Sequence, residues 1–271
     1  MNFMQAMAAS RDRNRSMLCV GLDPEPEKFP APLRENGDAT FEFCRAIVDA
    51  TADLVCAFKP QIAHFAARGE ESVLQRLIEY IHTEHPRVPV ILDAKRGDIG
   101  STAAYYAAEA FDRYQADAVT LNPYLGRDSA LPFLDRADKG VVLLCRTSNP
   151  GAADLQDLSV DGLPLYQRVA KIIANEWNGN GNCLLVTGAT WPGEIGQIRA
   201  LVGDMPLLVP GIGAQGGDVE AVVKNGQDAH GNGLLISSSR GILYAGTGAD
   251  FADFSRAAAL GLRDEINRHR D

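Results

Sequence analysis

Four charged side chains in the first hundred residues have the types and spacing for carbanion chemistry. Asp93 and Lys95 are two residues apart in VILDAKRGDIGST, and Asp98 follows them closely. On an extended chain, side chains two positions apart point to the same side. Lys59 ends an earlier apolar stretch, and neighbouring strands would bring it to the same carboxylates. The two lysines and two aspartates would then alternate in sign.

Such an array pairs every charge, which matters because an unpaired buried charge is strongly destabilising. An ammonium held between carboxylates can donate a proton to a carbanion and stabilise the negative charge that develops beside it. Two other interpretations stay open. An isolated Asp-x-Lys pair is often only a structural salt bridge, and a Schiff-base lysine would need a lowered pKa, which flanking carboxylates oppose.

Eight short apolar runs are the elements that must position these charges. Each is a continuous run of four or five residues, which is typical of parallel strands covered on both faces. The runs cover residues 17–21, 54–58, 88–92, 118–121, 141–145, 183–186, 206–209 and 233–236.

Segments with helical periodicity separate the runs. The predicted helices cover residues 71–85, 101–114, 163–177 and 251–268, with shorter ones at 128–137, 192–201 and 217–224 and another before the first strand. Eight strand–helix units in about 250 residues predict the α/β class and a single (β/α)₈ (TIM) barrel. With no linker-like segment in the sequence, we expect one domain over residues 1–271.

In such a barrel, polar residues after each strand form the site. Asp23 follows the first run and suits either sugar hydroxyls or a turn before Pro24. Thr147, Ser148 and Asn149 follow the fifth run. They can read the amide-like edge of a flat polar ring, although the same residue types suit a plain turn.

The last two strands run into segments suited to phosphate. VPGIGAQGGD offers backbone N–H groups at the start of a helix, with Gln215 as a further amide donor, and ISSSRG supplies Arg240. These two loops commonly form the phosphate site of a (β/α)₈ barrel. Taken separately, the glycines also fit a tight connection, and Arg240 and Gln215 fit surface positions.

Composition restricts the partners. The formal charge of −9 predicts that the protein does not bind nucleic acid. No apolar stretch approaches the roughly 18 residues of a membrane helix, and the N-terminal charges follow the apolar residues, unlike a signal peptide. Five widely spaced cysteines predict free thiols and a cytoplasmic location. The five histidines lack ligand spacing, so we expect them to face solvent and expect no metal site.

Seven motifs in combination resemble the orotidine 5′-phosphate decarboxylase family, in its bacterial type 2 subgroup. They are GLDPEPE (21–27), FKPQIA (58–63), LDAKRGDIGST (92–102), NPYLGRDS (122–129), LCRTSNPGA (144–152), VPGIGAQGGD (209–218) and SSSRGILYA (237–245).

The resemblance implies a homodimeric barrel that converts orotidine 5′-monophosphate to uridine 5′-monophosphate and CO₂ without a cofactor, the last step of de novo UMP synthesis. It implies that Asp93 lies beside the substrate carboxylate and that Lys95 protonates the C6 carbanion. Asp98, Ile99 and Thr102 would reach the neighbouring subunit's site.

The resemblance also implies the substrate contacts. Asp23 would contact the ribose hydroxyls and Ser148 the pyrimidine, while Gln215 and Arg240 would bind the phosphate. The remaining expected contacts are Pro210, Gly211 and Ser239, the last of which stands where many relatives have glycine.

Two alternative functions remain at this point. One is a metal-dependent sugar-phosphate decarboxylase or aldol-type synthase that shares the Asp-x-Lys-x-x-Asp core. The other is a non-catalytic barrel that binds a phosphorylated metabolite.

Overall fold

Ten strands are present in the described residues 1–34, 37–212 and 218–270 of the computed structural model, and helices follow most of them. The strands are β1 (Leu18–Leu22), β2 (Ala57–Pro60), β3 (Ile91–Arg96), β4 (Ala118–Leu121), β5 (Gly140–Arg146), β6 (Ser159–Val160), β7 (Leu163–Pro164), β8 (Cys183–Thr187), β9 (Leu207–Pro210) and β10 (Leu234–Ser238).

The helices follow the strands around the molecule. They are α1 (Phe3–Asn14), α2 (Ala31–Arg34), α3 (Ala39–Thr51), α4 (Ile62–Ala66), α5 (Glu71–Glu84), α6 (Gly100–Ala108), α7 (Arg127–Leu134), α8 (Ala153–Gln156), α9 (Leu165–Ile172), α10 (Pro192–Val202), α11 (Val219–Gly226), α12 (Arg240–Leu243) and α13 (Phe251–Arg268). Helices α6 and α9 each continue into a π-helical turn, at Glu109–Arg113 and Ile173–Trp177. In the described ranges no helix is both long and apolar enough to cross a bilayer.

Eight of the strands form one parallel sheet that curls into a barrel. Its order is β2-β1-β10-β9-β8-β5-β4-β3. The two end strands approach each other through isolated parallel bridges, Phe58 to Val90 and Gln61 to Asp93. The predicted (β/α)₈ barrel is therefore confirmed, and consecutive strands in the chain are neighbours around it.

Two apolar layers hold the barrel together. The outer layer lies between strands and helices, and the inner one fills the barrel with small or branched side chains such as Cys19, Ala118 and Val142. Helix α1 closes the bottom by inserting Phe3 and Met7 into the inner layer. Burying a side chain of this kind contributes about 1.5–3 kcal/mol.

The strands lie where the apolar runs predict them, but several begin and end later. Lys59 lies near the end of β2, as predicted, whereas Asp93 and Lys95 lie inside β3 rather than after it, because charged residues that face the barrel mouth can end a strand while breaking its apolar run. Two features were not predicted: helix α3, which buries Phe43, Ile47 and Val48, and the antiparallel pair β6–β7 inserted after β5.

Candidate active site

Three of the four predicted charges meet at the barrel mouth. Lys59 donates from Nζ to Asp93 Oδ2 at 2.7 Å, and Lys95 donates from Nζ to Asp93 Oδ1 at 2.6 Å. The side chains of Lys59 and Asp93 are each only 9% exposed, whereas Lys95 is 47% exposed. We call these three residues the charged triad. It presents one accessible ammonium above a buried ion pair.

Thr120 on β4 contacts the triad and was not among the predicted site residues. Its hydroxyl donates to Asp93 Oδ1 at 2.9 Å and accepts from the backbone N–H groups of Ala94 and Lys95 at 2.9 and 2.8 Å. A hydroxyl within the apolar run AVTL was the available signal. Thr120 therefore orients both the carboxylate and the backbone that carries Lys95.

The backbone at Lys95 differs from the extended chain that predicted the contact. Lys95 has a φ of +44°, and the β3–β4 register shifts between Leu92 and Arg96. A left-handed backbone costs a residue other than glycine about 1–3 kcal/mol and is held only where its surroundings impose it. The predicted proximity of Asp93 and Lys95 is present, but a local irregularity produces it.

Electrostatics fix the ionisation of the buried pair. Burial alone would lower the pKa of Lys59, but Asp93 and Asp23 outweigh it and hold that pKa well above its ordinary 10.5. Burial alone would raise the pKa of Asp93, but Lys59 and Lys95 hold it well below its ordinary 3.8. The pair is therefore ionised throughout the neutral range.

Asp98 does not join the triad within its own chain. It lies between β3 and α6, where its Oδ1 accepts from the backbone N–H of Ile99 at 2.8 Å. In the described part of the chain it forms no ion pair. Ile99 is 60% exposed and Thr102 is exposed as well. We call residues 98–102, which comprise the connection after β3 and the first turn of α6, the β3 loop.

Asp23 and Ser148 lie after β1 and β5, as predicted. Asp23 Oδ1 is buried, with no hydrogen-bond partner among the described residues. An acceptor left in this way is suited to a ligand hydroxyl. Ser148 is packed against Gly188 at the end of β8, where a Cβ would approach the Ser148 Cβ to 2.9 Å.

The predicted phosphate end is described in part. Pro210 ends β9 and Gly211 follows with a φ of +103°, while Gln215 lies outside the described residues. The Ser239 hydroxyl is buried without a hydrogen-bond partner in the described ranges, and its Cβ abuts the position where Gly21 lacks a side chain. Arg240 is exposed and forms no ion pair with any residue that the structure describes.

The histidines differ from the expectation that they face solvent. His64, His82 and His85 are half-buried, with ring nitrogens 3.2 Å from the Pro24 carbonyl, 3.0 Å from Asp117 and 2.9 Å from Asp49. Among described residues no three His, Cys, Asp or Glu side chains are grouped to hold a metal ion. All five cysteines are free and buried.

Comparison with known proteins identifies one family. Residues 16–252 match the model of the orotidine 5′-phosphate decarboxylase / HUMPS family. The orotidine 5′-phosphate decarboxylase of Azoarcus sp. (strain BH72) is 65% identical over 270 residues, covering 100% of both chains. That of Dechloromonas aromatica (strain RCB) is 62% identical over the same extent.

Solved structures agree with the sequence relatives. The orotidine-monophosphate decarboxylase of Leishmania donovani superposes with a TM-score of 0.87 at 39% identity, over 100% of this chain and 99% of that one. The UMP synthase of the same organism gives 0.89 at 40% identity, and the match covers 57% of its chain.

Proposed function

The chain belongs to the orotidine 5′-phosphate decarboxylase family and converts orotidine 5′-monophosphate to uridine 5′-monophosphate and CO₂, and from this premise we propose that Lys95 supplies the proton that replaces the carboxylate. One observation supports this role above others. The Lys95 ammonium is fixed 2.6 Å from Asp93, yet nearly half of its side chain is open to the mouth of the barrel.

The triad acts on the substrate in two ways. The substrate carboxylate lies beside Asp93, whose negative charge disfavours the bound carboxylate more than the neutral CO₂ that leaves. As the C6–CO₂ bond breaks, its electron pair remains on C6, and the Lys95 ammonium stabilises that charge before donating a proton to it. Lys59 holds Asp93 ionised and in place.

The remaining predicted residues bind the substrate away from the reacting carbon. Asp23 accepts from ribose hydroxyls, Ser148 contacts the pyrimidine, and Arg240 binds the phosphate with Gln215. The unpartnered Asp23 oxygen and the unpaired Arg240 guanidinium support these roles. Pro210, Gly211 and Ser239 line the same end. Binding energy at the phosphate is then available to hold the reacting end in place.

We propose that the active form is a homodimer in which the β3 loop reaches the partner's site. Besides Ile99, three large apolar side chains, Tyr105, Tyr124 and Leu125, are exposed after the neighbouring strands β3 and β4. Exposed apolar groups in one region mark interaction surfaces. The open Asp98 carboxylate would join the partner's triad, with Ile99 and Thr102 beside it. Sedimentation of the wild type and of Tyr124→Asp tests this interface, and a monomeric wild type would contradict it.

We propose further that residues 1–271 form one catalytic domain and that the enzyme works in the cytoplasm. The family model covers most of the chain. The five cysteines are all free thiols, which suits a reducing compartment.

Loss of Lys95 tests the proposed proton donor. A general acid contributes about 10²–10⁴-fold, and electrostatic stabilisation contributes about 10²–10³-fold in comparable sites. We therefore expect Lys95→Ala to lower kcat by at least about 10³-fold. The measurement is the loss of substrate absorbance with purified protein.

Lys171→Ala, on helix α9, is the matched control and should retain wild-type turnover. Unchanged turnover in Lys95→Ala would contradict the role of Lys95. Absence of turnover in the wild type would contradict the activity itself.

A further inference from the structure

Arg146 is a buried charge that the proposed mechanism does not use. Among the described residues, the buried lysines, arginines and acids are Lys59, Asp93 and Arg146. The first two belong to the triad. Arg146 is the last residue of β5, directly before Thr147 and Ser148, and its side chain is only 3% exposed.

The Arg146 guanidinium joins three segments of the barrel mouth. It pairs with Glu194, in the first turn of α10, through Nε at 2.5 Å. It also forms an ion pair with Asp157, in the β5 insertion (residues 147–164), where Nη1 lies 2.8 Å from Oδ1, and the hydrogen bond to Asp157 is a longer one from Nη2 to Oδ2 at 3.4 Å. The rings of Tyr166 and Trp191 lie 5.2 and 5.8 Å away. The planar guanidinium is thus fixed in direction by two carboxylates and two aromatic rings.

These contacts surround the segment that carries Ser148. The Arg146 carbonyl accepts from the backbone N–H of Gly188 at 2.8 Å, and the Gly188 Cα faces Ser148 without a side chain between them. On the other side, Gln156 accepts from the Thr147 N–H at 2.9 Å and donates to its hydroxyl at 2.8 Å. Gln156 immediately precedes Asp157, so the ion pair between Asp157 and Arg146 also positions the Gln156 side chain that holds Thr147.

We propose that Arg146 is a positioning residue that holds Ser148 against the pyrimidine. Its ion pairs with Asp157 and Glu194 fix the β5 insertion against helix α10. This inference rests on the proposed contact between Ser148 and the base. Apolar residues in place of the whole ion-paired cluster could fill the same space without loss of stability. A guanidinium adds fixed directions toward both carboxylates, which is the property that aligning a neighbouring residue requires.

The affinities of two ligands distinguish the positioning of Ser148 from general structural support by Arg146. Uridine 5′-monophosphate carries the pyrimidine, whereas ribose 5-phosphate does not. Displacing a positioning group by about 1 Å can lower the reaction rate by roughly 10²-fold. We expect Arg146→Lys to lower kcat/KM by about 10–100-fold and to raise the Kd of uridine 5′-monophosphate by about 10-fold. The Kd of ribose 5-phosphate should change by less than about 2-fold. Equal weakening of both ligands, or of neither, would overturn the proposal.

A double-mutant cycle with Ser148→Ala identifies the residue through which Arg146 acts. If Arg146 acts through Ser148, then Arg146→Lys should cause little further loss once Ser148 is alanine. Losses that add in full would show that Arg146 does not act through Ser148.

Asp157→Asn is the milder second variant, because Asp157 is partly exposed, and it keeps the test open if Arg146→Lys folds poorly. It should show the same difference between the two ligands with a smaller amplitude. Arg136→Lys, in the exposed pair with Asp112, is the matched control and should change neither ligand. A wild type without decarboxylase activity would contradict the proposed function instead, which separates the two failures.

Discussion

The β3 loop follows Asp93 and Lys95 of the charged triad in the chain, but only the triad has its charges paired within the described part of this chain. In the triad each charge has a partner within 2.7 Å, and Thr120 satisfies the same carboxylate. In the β3 loop, Asp98 accepts only from the adjacent Ile99 N–H among the described residues. Two aspartates five positions apart therefore have opposite environments.

The difference shows what each region requires from outside. Asp93 is buried, and Lys59 and Lys95 of the same chain keep it ionised, so its geometry is set when the barrel folds. Asp98 is presented beside exposed apolar side chains, which favours burial against another surface. A site assembled from both would have its proton donor fixed by one subunit and its last carboxylate supplied by the other.

Dimers that mix two inactive variants give the largest expected effect and test directly whether Asp98 acts in the partner's site. Asp98→Asn should lower kcat by about 10²–10³-fold, because in the proposed dimer this charge lies beside the reacting region of the partner's site. Co-refolding equal amounts of Asp98→Asn and Lys95→Ala should restore about a quarter of wild-type activity, since half the dimers would contain one intact site. Turnover of the mixture, compared with that of each variant alone, is the measurement.

The control for this experiment is a mixture of Lys95→Ala with Asp93→Asn. Both changes lie in the triad of one subunit, so one site of each mixed dimer lacks Lys95 and the other lacks Asp93. No recovery is expected. If the Asp98 mixture also failed to recover, Asp98 would act within its own chain or not at all.

The barrel could be predicted because burial on both faces leaves a direct signature in the sequence. Runs such as 118–121 and 183–186 contain only apolar residues and threonine, and the strands there begin at the predicted residues. The insertion after β5 leaves no such signature. Strands β6 and β7 have two residues each, so they are too short for any periodicity.

The site was predictable as a set of charges but not as a geometry. Lys59, Asp93 and Lys95 meet, as predicted, although Lys95 reaches Asp93 through a local irregularity and not along an extended strand. The left-handed backbone at Lys95 depends on the Thr120 hydroxyl from the next strand, and the burial of Arg146 depends on Glu194, 48 residues later. Contacts of this kind depend on tertiary packing, which a single sequence does not display.

Thr120→Val tests whether the Thr120 hydroxyl sets the geometry of the triad, and its effect on kcat should be smaller than that of Asp98→Asn. Valine keeps the shape but removes the hydroxyl that donates to Asp93 and accepts from two N–H groups. A hydrogen bond to a charged group contributes about 1.5–3 kcal/mol, so we expect kcat to fall by roughly 10-fold or more. Thr120→Ser, which keeps the hydroxyl, should remain near wild type. Equal losses in both variants would mean that packing, and not the hydroxyl, is responsible.

The smallest expected effect is that of pH on the buried pair. Because the pKa of Asp93 is lowered, its contribution to stability is present above its ordinary 3.8 and is lost as pH falls through the folded value. Because the pKa of Lys59 is raised, its contribution is present below its ordinary 10.5 and is lost as pH rises through the folded value. The contribution of the pair should therefore be constant between about pH 5 and pH 9.

Urea unfolding of the wild type and of the double variant Lys59→Met plus Asp93→Leu measures that contribution, since neither replacement titrates. The difference in unfolding free energy should not change across this range or in high salt, because a buried pair is weakly screened. The exposed pair of Arg136 and Asp112 provides the comparison, and its contribution should decrease with salt. A slope near neutral pH would show that the pair titrates there, and the triad could not then hold Lys95 in one charge arrangement while the substrate reacts.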